Sequence, residues 1–185
     1  MNIFIYGVPG SGKTTLANLL GKSLVLDFFE ADLIRKIAKK GKIIEKDPFY
    51  FLPTTEAYKV LGQLTQKNVI KGMLNVRSVF KNFINKKLSS CKKPAIYESA
   101  FLDPISLKDK GFVMLLTIPS ESKHRKQFLV HRTMESLTNG QFENARLIQK
   151  FFISEAKKIG ITILENTSNM DDLIKRVKKC LICPK

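Results

Sequence analysis

Residues 7–14, Gly7-Val8-Pro9-Gly10-Ser11-Gly12-Lys13-Thr14, follow the apolar run 3–6 and precede a segment with apolar residues at helical spacing. The stretch has the pattern G-x-x-x-x-G-K-T in the strand–loop–helix context in which this pattern binds phosphate. Glycines let the backbone turn so that successive N–H groups face one point, and the following helix directs its positive dipole end there. The sequence therefore predicts a phosphate-binding loop.

Each position of this loop has an expected role toward a bound nucleotide. Lys13 would reach the outer phosphates, and the Thr14 hydroxyl would bind Mg²⁺. The expected cofactors are therefore ATP and Mg²⁺. The other loop positions predicted to contact the cofactor are Gly7, Pro9, Gly10, Ser11, Gly12 and Thr15.

Length and composition favour one domain over residues 1–185, because 44% of the 185 residues are hydrophobic and can form a sizeable core. No run reaches the roughly 18 apolar residues of a membrane span, and the chain starts directly with a strand, so we expect neither a membrane segment nor a signal peptide. Cys91, Cys180 and Cys183 do not form a disulfide framework, which is typical of a cytoplasmic protein.

The charge balance is strongly basic, with 32 Lys and Arg against 16 Asp and Glu, for a formal net charge of +16. Such a surface attracts anions, so nucleotides, phosphorylated small molecules and nucleic acid are all admissible partners. The lysines are spread along the chain, which favours a solvated basic surface over a nucleic-acid stripe. Composition leaves the oligomeric state open.

Apolar runs of strand length alternate with helical patterns along the chain. Each connection is long enough for a right-handed crossover, which predicts a parallel sheet of about five strands with helices on both faces. This is the three-layer α/β architecture of phosphate-loop (P-loop) NTPases. Ligands of such sheets bind beyond the carboxyl ends of the strands. The predicted strands are 2–6, 24–29, 94–98, 112–118 and 161–164.

Asp32 and Arg35 follow the second predicted strand and lie one helical turn apart, so they share a face. A carboxylate at that place can orient or deprotonate an acceptor hydroxyl, and an arginine can bind an anionic acceptor group. The alternative is an ordinary ion pair at a helix start. The aromatic residues in 48–52 could line an acceptor pocket or cover the edge of the sheet.

Glu98 ends the third predicted strand, where a carboxylate can hold the water shell of the metal or face the acceptor. Asp103 is a competing candidate for the metal, and a structural acid is the alternative for both. After the last predicted strand, Asn166 could border the adenine base, although an ordinary turn is equally compatible with the sequence.

Residues 120–140 are basic and follow the fourth predicted strand. Arg125 and Arg132 are seven residues apart and so lie on one helical face, where they could close as a lid over the transferring phosphoryl group. A solvated basic helix is the alternative. Arg146 is a further candidate on the next helix.

Four further segments carry a resemblance to archaeal 2-phosphoglycerate kinases, a family of the phosphate-loop kinase superfamily. Asp32-Leu33-Ile34-Arg35 is similar to the family's T-D-x-I-R, and the strand 94–98 resembles the one that runs into E-G-x-H. Residues 124–132 resemble the H-x-x-R-F-x-x-R lid, and 146–166 resemble the I-R-x-I-Q-x-Y…A…I-P-x-I-x-N ending. Three departures are Ala31 before Asp32, Ser99-Ala100 after Glu98, and Arg125 directly after the lid histidine.

The resemblance implies an ATP-dependent small-molecule kinase. It would transfer the γ-phosphoryl group to a hydroxyl of an anionic acceptor, either 2-phosphoglycerate or a related phosphorylated metabolite, and the departures suggest a shortened relative with a drifted substrate. Two alternatives stay open at this point. One is a kinase of nucleoside monophosphates or nucleic-acid ends, which the net charge of +16 favours. The other is a non-catalytic nucleotide-binding regulator.

Overall fold

The structure, a computed structural model, describes residues 1–90, 93–130, 134, 137, 140–167 and 169–182, and of residues 31 and 32 it describes the backbone only. The described strands are β1 (Asn2–Tyr6), β2 (Asp27–Phe29), β3 (Ala95–Ser99), β4 (Gly111–Thr117) and β5 (Thr162–Glu165). The described α-helices are α1 (Lys13–Leu24), α2 (Ala31–Ala38), α3 (Gln66–Ser90), α4 (Pro104–Leu107), α5 (Glu121–Leu129), α6 (Gln141–Ile159) and α7 (Met170–Ile182).

The five strands form one parallel sheet in the order β2-β3-β1-β4-β5, which confirms the predicted fold class. β1 lies at the centre, where Ile5 is opposite Glu98 of β3 on one side and Met114 of β4 on the other. The chain leaves β1 toward β2 at one edge and later crosses from β3 to β4 past β1. The strand order therefore reverses beside β1, which places residues 7–12 where such sheets bind ligands.

Successive side chains of β1 point to opposite faces of the sheet and are buried on both. Phe4 and Tyr6 pack in the core cluster that includes residues of α3 and α6. Ile3 and Ile5 pack in the opposite cluster with residues of α1 and α7. Full burial of each such side chain stabilises the fold by about 1.5–3 kcal/mol. The central strand is therefore held rigidly, and the loop that continues from it starts at a fixed point.

The predicted second strand is shorter and more exposed than expected. The sequence predicts a buried strand over 24–29, whereas Leu24 ends α1 and the strand comprises only Asp27–Phe29. Val25 lies between them in a left-handed conformation with φ of 54° and is 91% exposed. β2 pairs with β3 alone, so it is an edge strand whose side chains are covered incompletely.

The sequence predicts a helical pattern over 54–88 with a break near Gly62 or Gly72, and the structure has the break at Gly62. A 3₁₀ turn over Ala57–Leu61 ends at Gly62, and α3 begins at Gln66. Gly72 lies inside α3 instead, where a Cβ atom would come within 2.6 Å of the backbone carbon of Ala57. The turn therefore packs directly on the helix.

A buried ion pair joins the two long helices on one face of the sheet. Arg77 of α3 is 4% exposed and lies 2.6 Å from Glu155 of α6 through Nη1 and Oε1. The pKa of the nearby Tyr6 hydroxyl is raised, first by burial and then by the negative charge of Glu155. Among the described residues, no helix is long and apolar enough to cross a membrane.

Candidate active site

The phosphate loop has two glycines whose backbone and surroundings both exclude a side chain. Gly10 and Gly12 have φ values of +79° and +91°, which L-residues rarely adopt. A Cβ atom at Gly10 would lie 2.9 Å from Cα of Phe128, and one at Gly12 would lie 2.6 Å from Nδ2 of Asn166. The loop is thus packed against α5 on one side and against the segment after β5 on the other.

Lys13 is the first residue of α1, so the N–H groups of the first helical turn point toward the loop. Its ammonium group donates a hydrogen bond to the carbonyl oxygen of Val8 at 3.0 Å, and the residue is 8% exposed. The loop therefore curls around the lysine side chain.

The structure brings the two predicted magnesium-binding side chains together. Thr14 Oγ1 donates to Oε1 of Glu98 at 3.1 Å, and Glu98 is 3% exposed at the end of β3. A hydroxyl and a carboxylate are oxygen donors of the type that Mg²⁺ prefers, and Mg²⁺ takes its remaining ligands from phosphates and water. No group of three or more His, Cys, Asp or Glu residues suited to a metal is found in the part of the chain that the structure describes. The pair therefore fits an ion held partly by substrate.

Asp103, the competing carboxylate, lies elsewhere. Its Oδ2 is 3.0 Å from Nζ of Lys81, and it precedes the short helix α4. It is not among the residues that line the cavity beside the phosphate loop. Of the two candidates, Glu98 is the one beside Thr14.

A cavity of about 450 Å³ opens next to the phosphate loop. One part of its wall carries the phosphate-binding and metal-binding groups. The other part comes from segments that lie far apart in the sequence. The lining residues are Pro9, Gly10, Lys13, Thr14 and Glu98 on the first part, and Glu30, Arg35, Phe51, Pro53, Thr54, Ser99, Ala100 and Phe101 on the second.

Two hydrogen bonds hold Arg35 in the second part of the cavity wall, called the second wall below. Its Nη1 donates to the carbonyl oxygens of Tyr50 at 2.9 Å and Leu52 at 3.0 Å. Its guanidinium carbon also lies 5.1 Å from the ring centre of Phe101. These bonds hold residues 50–52 against α2, and Phe51 therefore lines the cavity. The side chain of Asp32 lies outside the described residues, and only its backbone is placed, in the first turn of α2.

Arg125, one of the two predicted lid arginines, lies away from the cavity in this structure. Arg125 lies 3.4 Å from Glu121 and 3.8 Å from Glu143 of α6, and its guanidinium lies over the Phe142 ring at 4.2 Å. It does not line the cavity. Arg132 lies outside the described residues. Arg146 donates to the carbonyl oxygen of Ile118 at 2.8 Å, which secures the chain after β4.

Thr15 and Asn166, both predicted to contact the cofactor, differ in burial and in contact with the phosphate loop. Thr15 is exposed on α1 and does not line the cavity. Asn166 is 3% exposed, and its Nδ2 donates to the carbonyl oxygen of Ser11 at 2.9 Å. Asn166 therefore contacts the phosphate loop itself.

His124, which the sequence marks as part of the basic segment and of the lid resemblance, lies against the phosphate loop. It is fully buried, and its Nε2 lies 2.9 Å from the carbonyl oxygen of Pro9. Burial lowers the pKa of this imidazole, and the positive charges of Arg146 and Lys13 lower the pKa further. The bond to Pro9 and the negative charge of Glu121 oppose that shift.

The wild-type protein is expected to lose stability relative to a His124→Gln variant as the pH falls from about 7 to about 5. The unfolded histidine takes up a proton near pH 6.5, at about its ordinary pKa, whereas the folded one resists protonation. The unfolded state therefore binds more protons in this range, and acid favours unfolding. Urea unfolding of both proteins at several pH values measures the difference. If the difference in free energy of unfolding between the two proteins does not change with pH, the prediction is wrong.

Comparison with models of protein families assigns the chain to a family. The model of the ATPase family associated with various cellular activities (AAA) matches residues 3–96, just over half of the chain. The chain belongs to the AAA family. The AAA match runs from β1 into β3 and so includes the phosphate loop, α1 and α2. This membership and the formed loop imply that the chain binds a nucleotide. A search among curated proteins finds no match.

Several solved structures have folds similar to that of this chain. Shikimate kinase from Acinetobacter baumannii in complex with shikimate aligns with a TM-score of 0.63 and 16% identity, over 100% of this chain and 94% of that one. Deoxyadenosine kinase from M. mycoides aligns with a TM-score of 0.57 and 15% identity, over 98% and 99%. A gluconokinase from Sinorhizobium meliloti 1021 gives 0.53 and 14%, over 98% and 91%. The fold is therefore that of P-loop kinases.

Proposed function

We propose that the chain is an ATP-dependent small-molecule kinase. The observation that carries the proposal is the shared cavity of about 450 Å³. The phosphate loop forms one wall, and Arg35, Phe51 and Phe101 contribute to a second wall. A protein that only hydrolyses ATP or senses nucleotide has less need of such a wall. The kinase fold of the solved structures is consistent with transfer to a second substrate.

In the proposed mechanism, Lys13 and the loop N–H groups hold the triphosphate. Thr14 would hold Mg²⁺, and Glu98 would hold it through its water shell. When bound, Mg²⁺ would offset the negative charge that develops on the phosphoryl oxygens. Asp32 orients or deprotonates the acceptor hydroxyl from the start of α2. Arg35 lies beside the acceptor. Catalysis by such groups is mainly positioning and electrostatic stabilisation.

The basic segment 120–140 is proposed to close over the transferring group, within a single domain over 1–185. Arg125 and Arg132 would then neutralise the equatorial oxygens. Because Arg125 is held by Glu143 of α6 in this structure, that role requires the contact to open when both substrates are bound. We further propose that the reaction takes place in a reducing cytoplasm, on the basis of the cysteine content.

We propose an anionic, phosphorylated acceptor of the 2-phosphoglycerate class. The support is the resemblance of residues 32–35, 124–132 and 146–166 to the 2-phosphoglycerate kinase segments. Arg35 gives the second wall of the cavity, which would face the acceptor and is called the acceptor wall below, a permanent positive charge. This charge favours an acceptor with a carboxylate or a phosphate ester.

A nucleoside monophosphate or a nucleic-acid end is the second candidate acceptor, and one observation favours it. Lys39 Nζ lies 5.3 Å from the ring centre of Phe51, and Lys42 Nζ lies 5.0 Å from that of Tyr50. Because Phe51 lines the cavity, Lys39 lies near it and could contact a phosphate outside the cavity. Lys42 is also paired with Asp47 at 3.5 Å.

A transfer screen with γ-labelled ATP tests both candidates. Each reaction contains Mg²⁺ and one acceptor from a set of phosphorylated glycerates, nucleoside monophosphates and oligonucleotides. We expect label on a phosphorylated glycerate, with transfer well above release of inorganic phosphate. Labelled oligonucleotide ends with a steep salt dependence would favour the second candidate. Release of inorganic phosphate alone would indicate an ATPase, and binding without any turnover would indicate a regulator.

A further inference from the structure

Two carbonyl groups of the phosphate loop accept hydrogen bonds from side chains outside the sequence motif. His124 Nε2 bonds to the Pro9 oxygen at 2.9 Å, and Asn166 Nδ2 donates to the Ser11 oxygen at 2.9 Å. Both side chains are buried, at 0% and 3% exposure. His124 lies on α5 and Asn166 follows β5, so two different elements bind the loop.

The direction of a carbonyl fixes the direction of the next N–H group. In a trans peptide the C=O and the following N–H lie in one plane and point in opposite directions. His124 holds the Pro9 oxygen, so the Gly10 N–H points away from α5, and Gly10 lines the cavity. Asn166 likewise directs the Gly12 N–H away from itself. These two N–H groups are donors that a bound phosphate needs.

The hydrogen-bonding roles in this arrangement are determined by the partners. A carbonyl oxygen only accepts, so the proton of neutral His124 must lie on Nε2. His124 Nδ1 has no hydrogen-bond partner among the described residues. The amide orientation of Asn166 is fixed by Lys123, whose ammonium donates to Oδ1 at 3.0 Å and to the Asn166 backbone oxygen at 3.2 Å. Nδ2 therefore faces Ser11.

We infer that His124 and Asn166 are positioning residues that hold the Gly10 and Gly12 N–H groups toward the nucleotide phosphates. Lys123 sets the orientation of the Asn166 amide. Donors that are aligned before binding cost no ordering when the ligand arrives, so the arrangement strengthens nucleotide affinity. The inference rests on nucleotide binding by the loop and is independent of which acceptor the protein uses.

Two substitutions at His124 separate hydrogen bonding from packing. His124→Phe keeps an aromatic ring and removes the donor, whereas His124→Gln retains an amide donor at about the reach of Nε2. Titration calorimetry with Mg-ADP should show about 10-fold weaker binding for His124→Phe, since one charge-free hydrogen bond corresponds to about that factor. His124→Gln should stay within about 3-fold of wild type. Lys157→Gln, an exposed change on α6 outside the basic segment 120–140, is the control.

A third variant addresses the other side of the loop. Asn166→Asp keeps the size of the side chain and an oxygen for Lys123, but turns a carboxylate oxygen toward the Ser11 carbonyl. We expect Mg-ADP binding to weaken by at least about 10-fold. In the protein without nucleotide, hydrogen–deuterium exchange at residues 10–12 should be faster in both His124→Phe and Asn166→Asp than in wild type.

The outcomes are distinguishable from failure of the proposed function. Unchanged Mg-ADP affinity in folded His124→Phe and Asn166→Asp, or equal losses in His124→Phe and His124→Gln, would overturn the inference. Absence of transfer to every acceptor would refute the kinase and leave these binding measurements intact. A wild type that bound no Mg-ADP would overturn the inference together with nucleotide binding by the loop. A failure of His124→Phe to fold leaves Asn166→Asp as the deciding variant.

Discussion

Lys13→Ala is expected to lower kcat/KM for phosphoryl transfer by about 10³-fold or more, which is the loss typical of removing a charged group at the transferring phosphate. Lys13 lines the cavity and lies at the start of α1, so its charge adds to the helix dipole at one point. No other described lysine lines that cavity. In Lys13→Ala, a transition state with negative charge on three oxygens therefore loses the positive charge that the phosphate loop supplies.

The fold should survive this change. Lys13 Nζ makes a hydrogen bond to the Val8 oxygen, and its loss costs about 1 kcal/mol. Thermal unfolding of Lys13→Ala should therefore remain a single cooperative transition. Lys22→Ala, an exposed lysine on the same helix, is the matched control and should keep full activity. A Lys13→Ala protein that transfers phosphate at the wild-type rate would refute the assigned role.

The sequence predicts the sheet and the phosphate loop well because both depend on local patterns. Fully covered strands such as β1 and β4 need continuous apolar runs, and the loop needs glycines at fixed spacing before Lys13. β2 was predicted less accurately. Its edge position depends on which strands pair, and that cannot be read from residues 24–29 alone.

The acceptor wall depends on contacts between distant segments, and its sequence signals were weak. Residues 50–52 reach the cavity because Arg35 holds their carbonyl oxygens, and Phe101 joins them from beyond β3. No periodicity marks such a pairing in advance. Arg35 is predicted as an acceptor-binding residue, whereas the aromatic residues in 48–52 are also consistent with a cover on the sheet edge.

The role of His124 was hidden for a different reason. A histidine among lysines and arginines resembles a solvated basic face, whereas burial against Phe142 and Pro9 makes it a neutral donor. Basic composition alone cannot distinguish these environments, because burial depends on how α5 packs on the loop. The same packing leaves Arg125 on the side of α5 that faces Glu143.

Glu98→Gln is expected to lower kcat by about 10²-fold and to raise the Mg²⁺ concentration needed for half-maximal rate. The amide keeps the size of the side chain and an oxygen that can accept from Thr14 Oγ1, so the local geometry is retained. The negative charge is lost, and with it the attraction for Mg²⁺ and its water shell. Nucleotide binding measured without metal should change little.

Asp103→Asn is the matched control, because it makes the same chemical change at the competing carboxylate. Asp103 pairs with Lys81, whose side chain is 44% exposed, so its neutralisation should cost at most about 1 kcal/mol of stability. The Mg²⁺ requirement of Asp103→Asn should match that of wild type. A raised requirement in Asp103→Asn together with an unchanged one in Glu98→Gln would exchange the two assignments. Equal behaviour of both variants and wild type would place the metal on the substrate phosphates and Thr14 alone.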